Sequence, residues 1–350
     1  MHIFQEMNAY GHEQIVFARD EKVGLRAIIA IHSTVLGPAL GGTRFWNYAT
    51  EEEALFDVLR LSRGMTLKNA AAGLKLGGGK AVIIGEPQKL KSREFFHAYG
   101  KCVGALGGRF YTAEDVNIGV ADVELIGEAT KFVTGTLRAS GDPSPLTARG
   151  IHMGMKAGAR TQWGTKSLTG KTVVVQGLGN VGKALCERLH KEGAKLKVHD
   201  IHPAAMEKVV NSLGAKALLA EEVLTTEGDI FVPCAMGAVL SVENVKHLKC
   251  QMVAGGANNV LVDEATGDAL KERGILYLPD YIVNAGGVIN CGMEISGDYN
   301  AEVVNAKVDE IYNTTLCVLA LAKEKNLSTD RAAREYAEKI LRAHLPQQPM

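Results

Sequence analysis

The sequence predicts an α/β protein of two domains, the second built on a doubly wound, parallel sheet. Three observations carry this expectation. From Thr172 onward, short β-rich runs (TVVVQG, KLKVHD, DIFVP, QMVAGG) alternate with helical ones, which is the sequence form of parallel strands joined by crossover helices. The first of those runs leads into Gly177-Leu178-Gly179-Asn180-Val181-Gly182, a glycine pattern that suits a tight strand-to-helix turn. At 350 residues the chain also exceeds what a single hydrophobic core usually organises, so two domains with a cleft between them are expected.

Along the first third, Leu25–Ile31 reads as a strand. Thr50 and Glu53 form a capping box, and Leu55, Val58, Leu59 and Ser62 recur at helical spacing behind it. That helix is predicted to end near Gly64–Met65, leaving Lys68 just beyond it. The stretch TGTLRASGDPSPLTARG (Thr134–Gly150) is rich in Gly, Ser and Pro and reads as a hinge. The domain change is placed there: a first domain over 1–135, joined by a C-terminal helix at about 325–350, and a second over 136–324. A helix is predicted from Ile151 to about Trp163, and long helices from about Ala301 to His344.

Composition narrows the function classes. Lys+Arg and Asp+Glu each total 39, so no global charge attracts nucleic acid or an anionic membrane. The N-terminus, MHIFQEMNAYGHEQ, lacks a basic segment followed by an apolar one, and no run approaches the ~18 apolar residues of a membrane span. A cytoplasmic protein is expected. Cys102, Cys186, Cys234, Cys250, Cys291 and Cys317 form no CxxC pair and read as free thiols. His199 and His202 come closest to a metal pair but lack a third ligand, so no metal site is expected.

The glycine motif has the context that a dinucleotide needs. Gly177 permits the turn, Gly179 lets a pyrophosphate approach the backbone, and Gly182 lets helix and strand pack closely. The following helix supplies unpaired N–H groups for the phosphates. Asp200 ends the next strand, where a carboxylate accepts from the adenosine ribose hydroxyls and repels a 2′-phosphate, which favours NAD over NADP. A helix N-cap is the competing role for Asp200.

Lys68, Lys80 and Asp115 are the candidate chemical groups of the first domain. Lys80 ends a glycine-rich run, but a phosphate-binding P-loop would need glycine at position 74 and Ser or Thr at 81, where Leu74 and Ala81 stand. Three successive glycines instead suggest backbone that must approach a ligand or a neighbouring strand closely.

These segments, LGPALGGTR (Leu36–Arg44), EEEAL (Glu51–Leu55), RGMTLKNAAAGLKLGGGK (Arg63–Lys80), TAEDV (Thr112–Val116), DPSPLTARG (Asp142–Gly150), VQGLGNVG (Val175–Gly182) and PDYIVNAGGVIN (Pro279–Asn290), closely resemble the Glu/Leu/Phe/Val dehydrogenase family over nearly the whole length. The resemblance implies a Rossmann-type NAD-binding domain at 136–324 and a substrate-binding and oligomerisation domain at 1–135. It implies reversible, NAD-dependent oxidative deamination of an apolar L-amino acid, leucine or another branched-chain one, to the 2-oxo acid, ammonia and NADH. Lys68 would bind the substrate carboxylate, Lys80 would be the catalytic lysine, and Asp115 would exchange protons with the amine. Leu40, Gly41, Met65, Ala113, Val288 and Cys291 would line the substrate site, with Asn284 beside the reacting centre and Asn258 and Asn259 near the nicotinamide ribose. A homo-oligomer, dimer or octamer, is implied, although the chain ends in a short Leu345-Pro-Gln-Gln-Pro-Met350 tail where octameric members carry a longer basic one. Cys291 and Gly292 replace a branched apolar residue and an alanine usual in the family.

The chemistry agrees with these roles. Oxidising an α-amino acid needs an anchor for the carboxylate, a base for water attack on the iminium, and proton exchange with the leaving amine. A second cation and desolvation on cleft closure would favour the neutral amine of Lys80, and Asp115 would limit the build-up of positive charge. Phenylalanine or tryptophan is the alternative substrate, and a catalytically silent NAD-binding regulator the alternative of another class. A 2-hydroxy-acid dehydrogenase would require a histidine–carboxylate pair, and no histidine occupies these motifs.

Overall fold

The computed structural model describes residues 2–136, 141–297 and 299–345. Residues 137–140 of the stretch read as a hinge, and 346–350 of the tail, lie outside the described residues. The chain divides into two compact units, Met1–Asp142 with Val288–Asn300 and Ala337–Met350, and Pro143–Gly287 with Ala301–Tyr336. The division falls at 142/143 rather than 135/136, and a segment around residue 290 joins the first unit along with the chain end.

The first unit is a five-stranded sheet: β1 (Gln14–Asp20), β2 (Leu25–Ser33), β3 (Ala39–Trp46), β4 (Gly77–Ile84) and β5 (Phe110–Ala113) in the order β1-β2-β4-β3-β5. β2 runs antiparallel to β1 and β4, whereas β3 is parallel to β4 and β5. The uninterrupted apolar runs of β2 and β4 follow from burial on both faces. Ile29 and Ile31 of β2 with Ala81 and Ile83 of β4 meet Phe95, Phe96, Tyr99 and Val103 on the helix Arg93–Gly104. Their alternates Ile28, Ala30, Val82 and Ile84 meet Ala54, Leu55, Val58 and Leu59 on the helix Glu51–Ala71.

That second helix corrects the sequence expectation. It continues past Gly64 to Ala71, so Lys68 lies within its last turn instead of beyond it. A mid-helix glycine costs only about 1 kcal/mol, whereas the added turns bury Thr66, Asn69, Ala70 and Ala71. They seat directly on the glycines of β4: Asn69 Nδ2 donates to Gly77 O at 2.5 Å, and a Cβ on Gly78 would stand 2.1 Å from Thr66 N.

The second unit holds six parallel strands, β6 (Thr172–Gln176), β7 (Lys195–His199), β8 (Lys216–Ala217), β9 (Ile230–Pro233), β10 (Met252–Val253) and β11 (Leu276–Tyr277). Their order, β8-β7-β6-β9-β10-β11, is that of a doubly wound dinucleotide fold, with the topological switch between β6 and β9. Val173 and Val175 pack with Leu185 and Leu189 of the helix Asn180–Lys191, while Val174 packs with Phe231, Leu248 and Leu270. The helix predicted from Ile151 starts at Ser144, inside the stretch read as a hinge. Proline is tolerated in a first helical turn, and the turns that follow bury Ala148 and Gly150. Among the described residues no helix is long and apolar enough to cross a membrane.

Because the helix backbone occupies the space where a side chain on β4 would stand, Gly78→Ala is expected to destabilise the protein by about 3 kcal/mol or more. The check is the melting temperature. A G78A variant that melts with the wild type would mean that this helix is not seated on β4 as described.

Candidate active site

Lys80 is the fourth residue of β4 and pairs with Ala30 of β2, inside a strand whose eight residues are all buried. A charged amine there needs a counter-ion. Asp115 supplies it, accepting from Lys80 Nζ through Oδ2. Asp115 stands two residues beyond β5, in a tight turn closed by Ile118 N donating to Asp115 O at 2.9 Å, and Val116 N donates to its Oδ1 at 2.6 Å. The turn is delivered by Gly42, which pairs with Ala113. A Cβ on Gly42 would fall 2.1 Å from Glu114 O and 3.1 Å from Asp115 Cβ, so only glycine leaves room for this backbone.

Arg44 of β3 adds a second cation, its Nε 3.6 Å from Asp115 Oδ1. Its Nη1 donates to Asp57 Oδ2 at 2.8 Å, and Asp57 also accepts from the Tyr48 hydroxyl at 2.7 Å and from Arg60 Nη2 at 3.0 Å. Burial opposes ionisation of Asp115, but the charges of Lys80 and Arg44 and the hydrogen bonds from Lys80 and Val116 outweigh it and hold the carboxyl at about 2. Burial likewise opposes the charge on Arg44, and Asp115 and Asp57 more than compensate. Sequence reasoning did not single out Arg44 or Asp57. The available signal was a charge in the otherwise apolar β3 and an aspartate between the buried Leu55, Val58 and Leu59.

The residues expected at the substrate site fall on β3, β5 and two helices. Leu40, 1% exposed, pairs with Gly78 and Tyr111. Gly41 pairs with Thr112, and its Cβ position lies 3.3 Å from Met65 Cγ. Lys68 follows Met65 by three residues and therefore shares its side of the helix. Ala113 ends β5. Val288 and Cys291 lie one turn apart on the helix Gly286–Ile295, and Cys291 O accepts from the Thr134 hydroxyl at 2.9 Å. Burial, with Glu294 and Glu114 nearby, pushes the Cys291 thiol up to about 12, so it acts as a small neutral hydrophobe. At Gly292 a Cβ would meet Leu74 and Leu76 Cδ1 at 3.1 Å, so these leucines fill the space of the usual alanine.

The second unit carries the other group. β6 runs into Gly177, whose φ of +98° is open to glycine, and Gly182 packs so closely that its Cβ would lie 2.0 Å from Gly177 O. The Cβ direction of Gly179, the residue preceding the helix Asn180–Lys191, meets nothing within 4 Å. Leu178 is buried and its N–H donates to Asp200 Oδ2 at 2.7 Å, while His202 N donates to Oδ1 at 2.8 Å. His202, not Asp200, is the N-cap of the helix Pro203–Leu213. Each carboxylate oxygen of Asp200 retains a lone pair for a further donor. A glycine cradle, an open helix N-terminus and a carboxylate at the end of β7 fit a dinucleotide with a free ribose 2′-hydroxyl. Val181 touches the Cβ position of Gly256 at 2.9 Å. Asn258 and Asn259 are exposed beyond β10, and Asn258 Oδ1 accepts from the buried Asn284 Nδ2 at 3.0 Å. Asn284 thus belongs with Asn258 in the second unit, while Val288 belongs to the first.

Comparison with known proteins gives one consistent answer. A family model described as Glu/Leu/Phe/Val dehydrogenase, dimerisation domain, matches residues 12–132, and one described as Glutamate/Leucine/Phenylalanine/Valine dehydrogenase matches 198–347. The chain is 49% identical over 350 residues to a leucine dehydrogenase of Bacillus subtilis (strain 168), covering 98% of this chain and 96% of that one. It is 45% identical over 344 residues to a valine dehydrogenase of Streptomyces virginiae, covering 97% and 96%. The crystal structure of L-tryptophan dehydrogenase from Nostoc punctiforme superposes with a TM-score of 0.86 at 43% identity, covering 98% of this chain and 99% of that one.

The depressed Asp115 carboxyl makes a linkage prediction. Its folded value of about 2 lies below the ordinary 3.8, so its stabilisation is complete above pH 3.8 and is lost as pH falls toward 2. The shift corresponds to about 2 kcal/mol. Asp115→Asn is expected to lose that amount uniformly from pH 5 to 8 in denaturant titrations, with the deficit shrinking only in more acid solution. A deficit that stayed unchanged below pH 3 would mean that ionisation of Asp115 is not what stabilises the fold.

Proposed function

The chain belongs to the Glu/Leu/Phe/Val dehydrogenase family, and we propose that it oxidatively deaminates leucine-sized aliphatic L-amino acids with NAD, as a cytoplasmic homo-oligomer. The observation that carries the reading is the buried Lys80–Asp115 pair in a chain that also holds the Gly177–Gly182 cradle. When bound, NAD would supply the acceptor for the hydride that leaves the substrate α-carbon. The pyrophosphate would be held by the backbone of Gly177, Leu178, Gly179, Asn180, Val181 and Gly182, and the adenosine ribose by Asp200. Asn258, Asn259 and Asn284 would hold the nicotinamide end.

The rest of the chemistry falls to the first unit. Lys68 anchors the substrate carboxylate by a charge-assisted hydrogen bond. In its neutral form Lys80 takes, at Nζ, the proton of the water that adds to the iminium carbon, and the Asp115 carboxylate exchanges protons with the departing amine. The Lys80–Asp115 hydrogen bond joins the two proton carriers, so a proton accepted at one is passed to the other without entering solvent. Leu40, Gly41, Met65, Ala113, Val288 and Cys291 receive the side chain. None of them carries a charge, so a glutamate side chain would be buried unpaired at a cost of several kcal/mol. One methylene is worth only about 1–3 kcal/mol. Valine and isoleucine are therefore substrates too.

The test is a panel of L-amino acids with NAD and with NADP, read as kcat/KM. Leucine is expected to lead phenylalanine and tryptophan, glutamate to be inactive, and NAD to be preferred. A lead for tryptophan would move the substrate assignment to the aromatic branch, and absence of turnover with every apolar amino acid would end the reading. Within that panel, Lys80→Ala is expected to lower kcat about 10²–10⁴-fold with NADH binding intact. Lys68→Ala is expected to raise the leucine KM by about 1.5–3 kcal/mol in binding terms, with the KM for NAD unmoved. The reverse pattern for K68A would make Lys68 a phosphate ligand.

A further inference from the structure

We infer that Glu294 is a positioning residue for substrate selection: by accepting hydrogen bonds from Thr134–Thr136, it fixes the helix face that presents Val288 and Cys291 to the substrate side chain. The inference rests on the substrate reading above and names the device behind it. Val288, Cys291 and Glu294 recur every three residues along the helix Gly286–Ile295, each step drifting about 60° around it, so Cys291 lies between Val288 and Glu294 on an arc of about 120°. Two of these are apolar. The third is a carboxylate turned to the same flank, where Oε2 accepts from the Thr134 hydroxyl at 2.9 Å and from Gly135 N at 2.8 Å. Oε1 accepts from the Thr136 hydroxyl at 3.3 Å.

The segment it grips is itself fixed. Thr134 is fully buried, its N–H donates to Thr112 O at 2.9 Å, and Thr112 N donates to Phe132 O at 3.1 Å, so these residues lie alongside β5 just before Ala113. Thr134 Oγ1 stands 2.9 Å from both Glu294 Oε2 and the Cys291 carbonyl oxygen, so its single proton serves either acceptor and ties that segment to two points of the helix one turn apart. Gly135 brings its Cβ position to 3.7 Å from Cys291 Sγ. On the other side Gly292 leaves the helix against Leu74 and Leu76, which offer van der Waals contact but no direction. Glu294, together with the Cys291 carbonyl, therefore supplies the directional contacts that set the rotation and height of the face bearing Val288 and Cys291 relative to Ala113. Hydrogen bonds to a carboxylate are the stronger and shorter kind, suited to holding a wall whose displacement by an ångström changes selection.

The experiment compares E294A, E294Q and T134V with the wild type on leucine, valine and NAD. E294A is expected to raise the leucine KM about tenfold and to shrink the leucine-over-valine ratio in kcat/KM severalfold, with the KM for NAD unchanged. E294Q is expected to stay near the wild type, because its amide oxygen can accept from both Thr134 and Gly135 while its NH₂ meets the Thr136 hydroxyl. Rescue by glutamine separates hydrogen-bond positioning from charge. A merely structural role would lower the melting temperature but leave the leucine-to-valine ratio of the folded enzyme unmoved. If E294A does not fold, T134V removes one donor at constant shape and is expected to shift KM and the ratio in the same direction, by about threefold. Wild-type values in E294A, or in T134V where E294A does not fold, overturn the inference, as does E294Q failing as badly as E294A. A wild-type enzyme inactive on apolar amino acids brings down the substrate reading and the inference with it, whereas an active wild type with indifferent variants brings down the inference alone.

Discussion

An ammonium inside an all-buried strand is tolerable only with a counter-charge, and the first unit is organised around meeting that condition at Lys80. Asp115 provides the charge, Arg44 balances Asp115 from the other side, and Asp57 balances Arg44. Two cations and two anions thus alternate, with Tyr48 and Arg60 completing the lone pairs of Asp57. The alternation explains how a poorly solvated carboxylate remains ionised far below neutrality. It also leaves Lys80 and Asp115 joined by one hydrogen bond, the arrangement that proton exchange requires.

Placing those charges depends on residues with no side chain. Gly42 leaves room for the backbone of Glu114 and Asp115, and Gly78 leaves room for the helix that carries Met65 and Lys68. The glycine run before Lys80 is therefore a spacing device between backbone layers. A ligand-binding loop was the other possible reason for three successive glycines, and the contacts of Gly77, Gly78 and Gly79 with Ser33, Thr66 and Phe110 identify neighbouring elements as what approaches them. In the second unit the glycines work differently. Gly177 and Gly182 close the turn against each other, while Gly179 faces open space, so the same residue type serves packing at two positions and access at the third.

The two units also differ in how far apart their partners lie in the chain. The glycine turn is built almost entirely from residues 176–182, with Asp200 one strand away. The clamp by Glu294 joins residues about 160 positions apart, as does the Arg149–Asp309 ion pair. Local motifs of the first kind announce themselves in sequence. Contacts of the second kind do not, since nothing in the spacing of two distant segments says that they meet.

That contrast separates what the amino-acid sequence determined alone from what the tertiary structure decided. The alternation of strand and helix after Thr172, the turn at Gly177–Gly182 and the capped helix at Thr50 follow from periodicity and backbone stereochemistry within a dozen residues, and they were legible. Lys68, Lys80 and Asp115 stood out because contiguous motifs carry them, and the structure pairs two of the three. The end of the helix Glu51–Ala71 was misjudged because Gly64 is a local stop signal that burial of Thr66 and Asn69 against β4 overrides. The start of the helix Ser144–Trp163 was missed because two prolines read as a loop until Ala148 and Gly150 have a core to enter. Arg44, Asp57 and Glu294 were invisible as functional candidates for the same reason: the energy of a charge depends on what surrounds it, and only the folded chain supplies the surroundings.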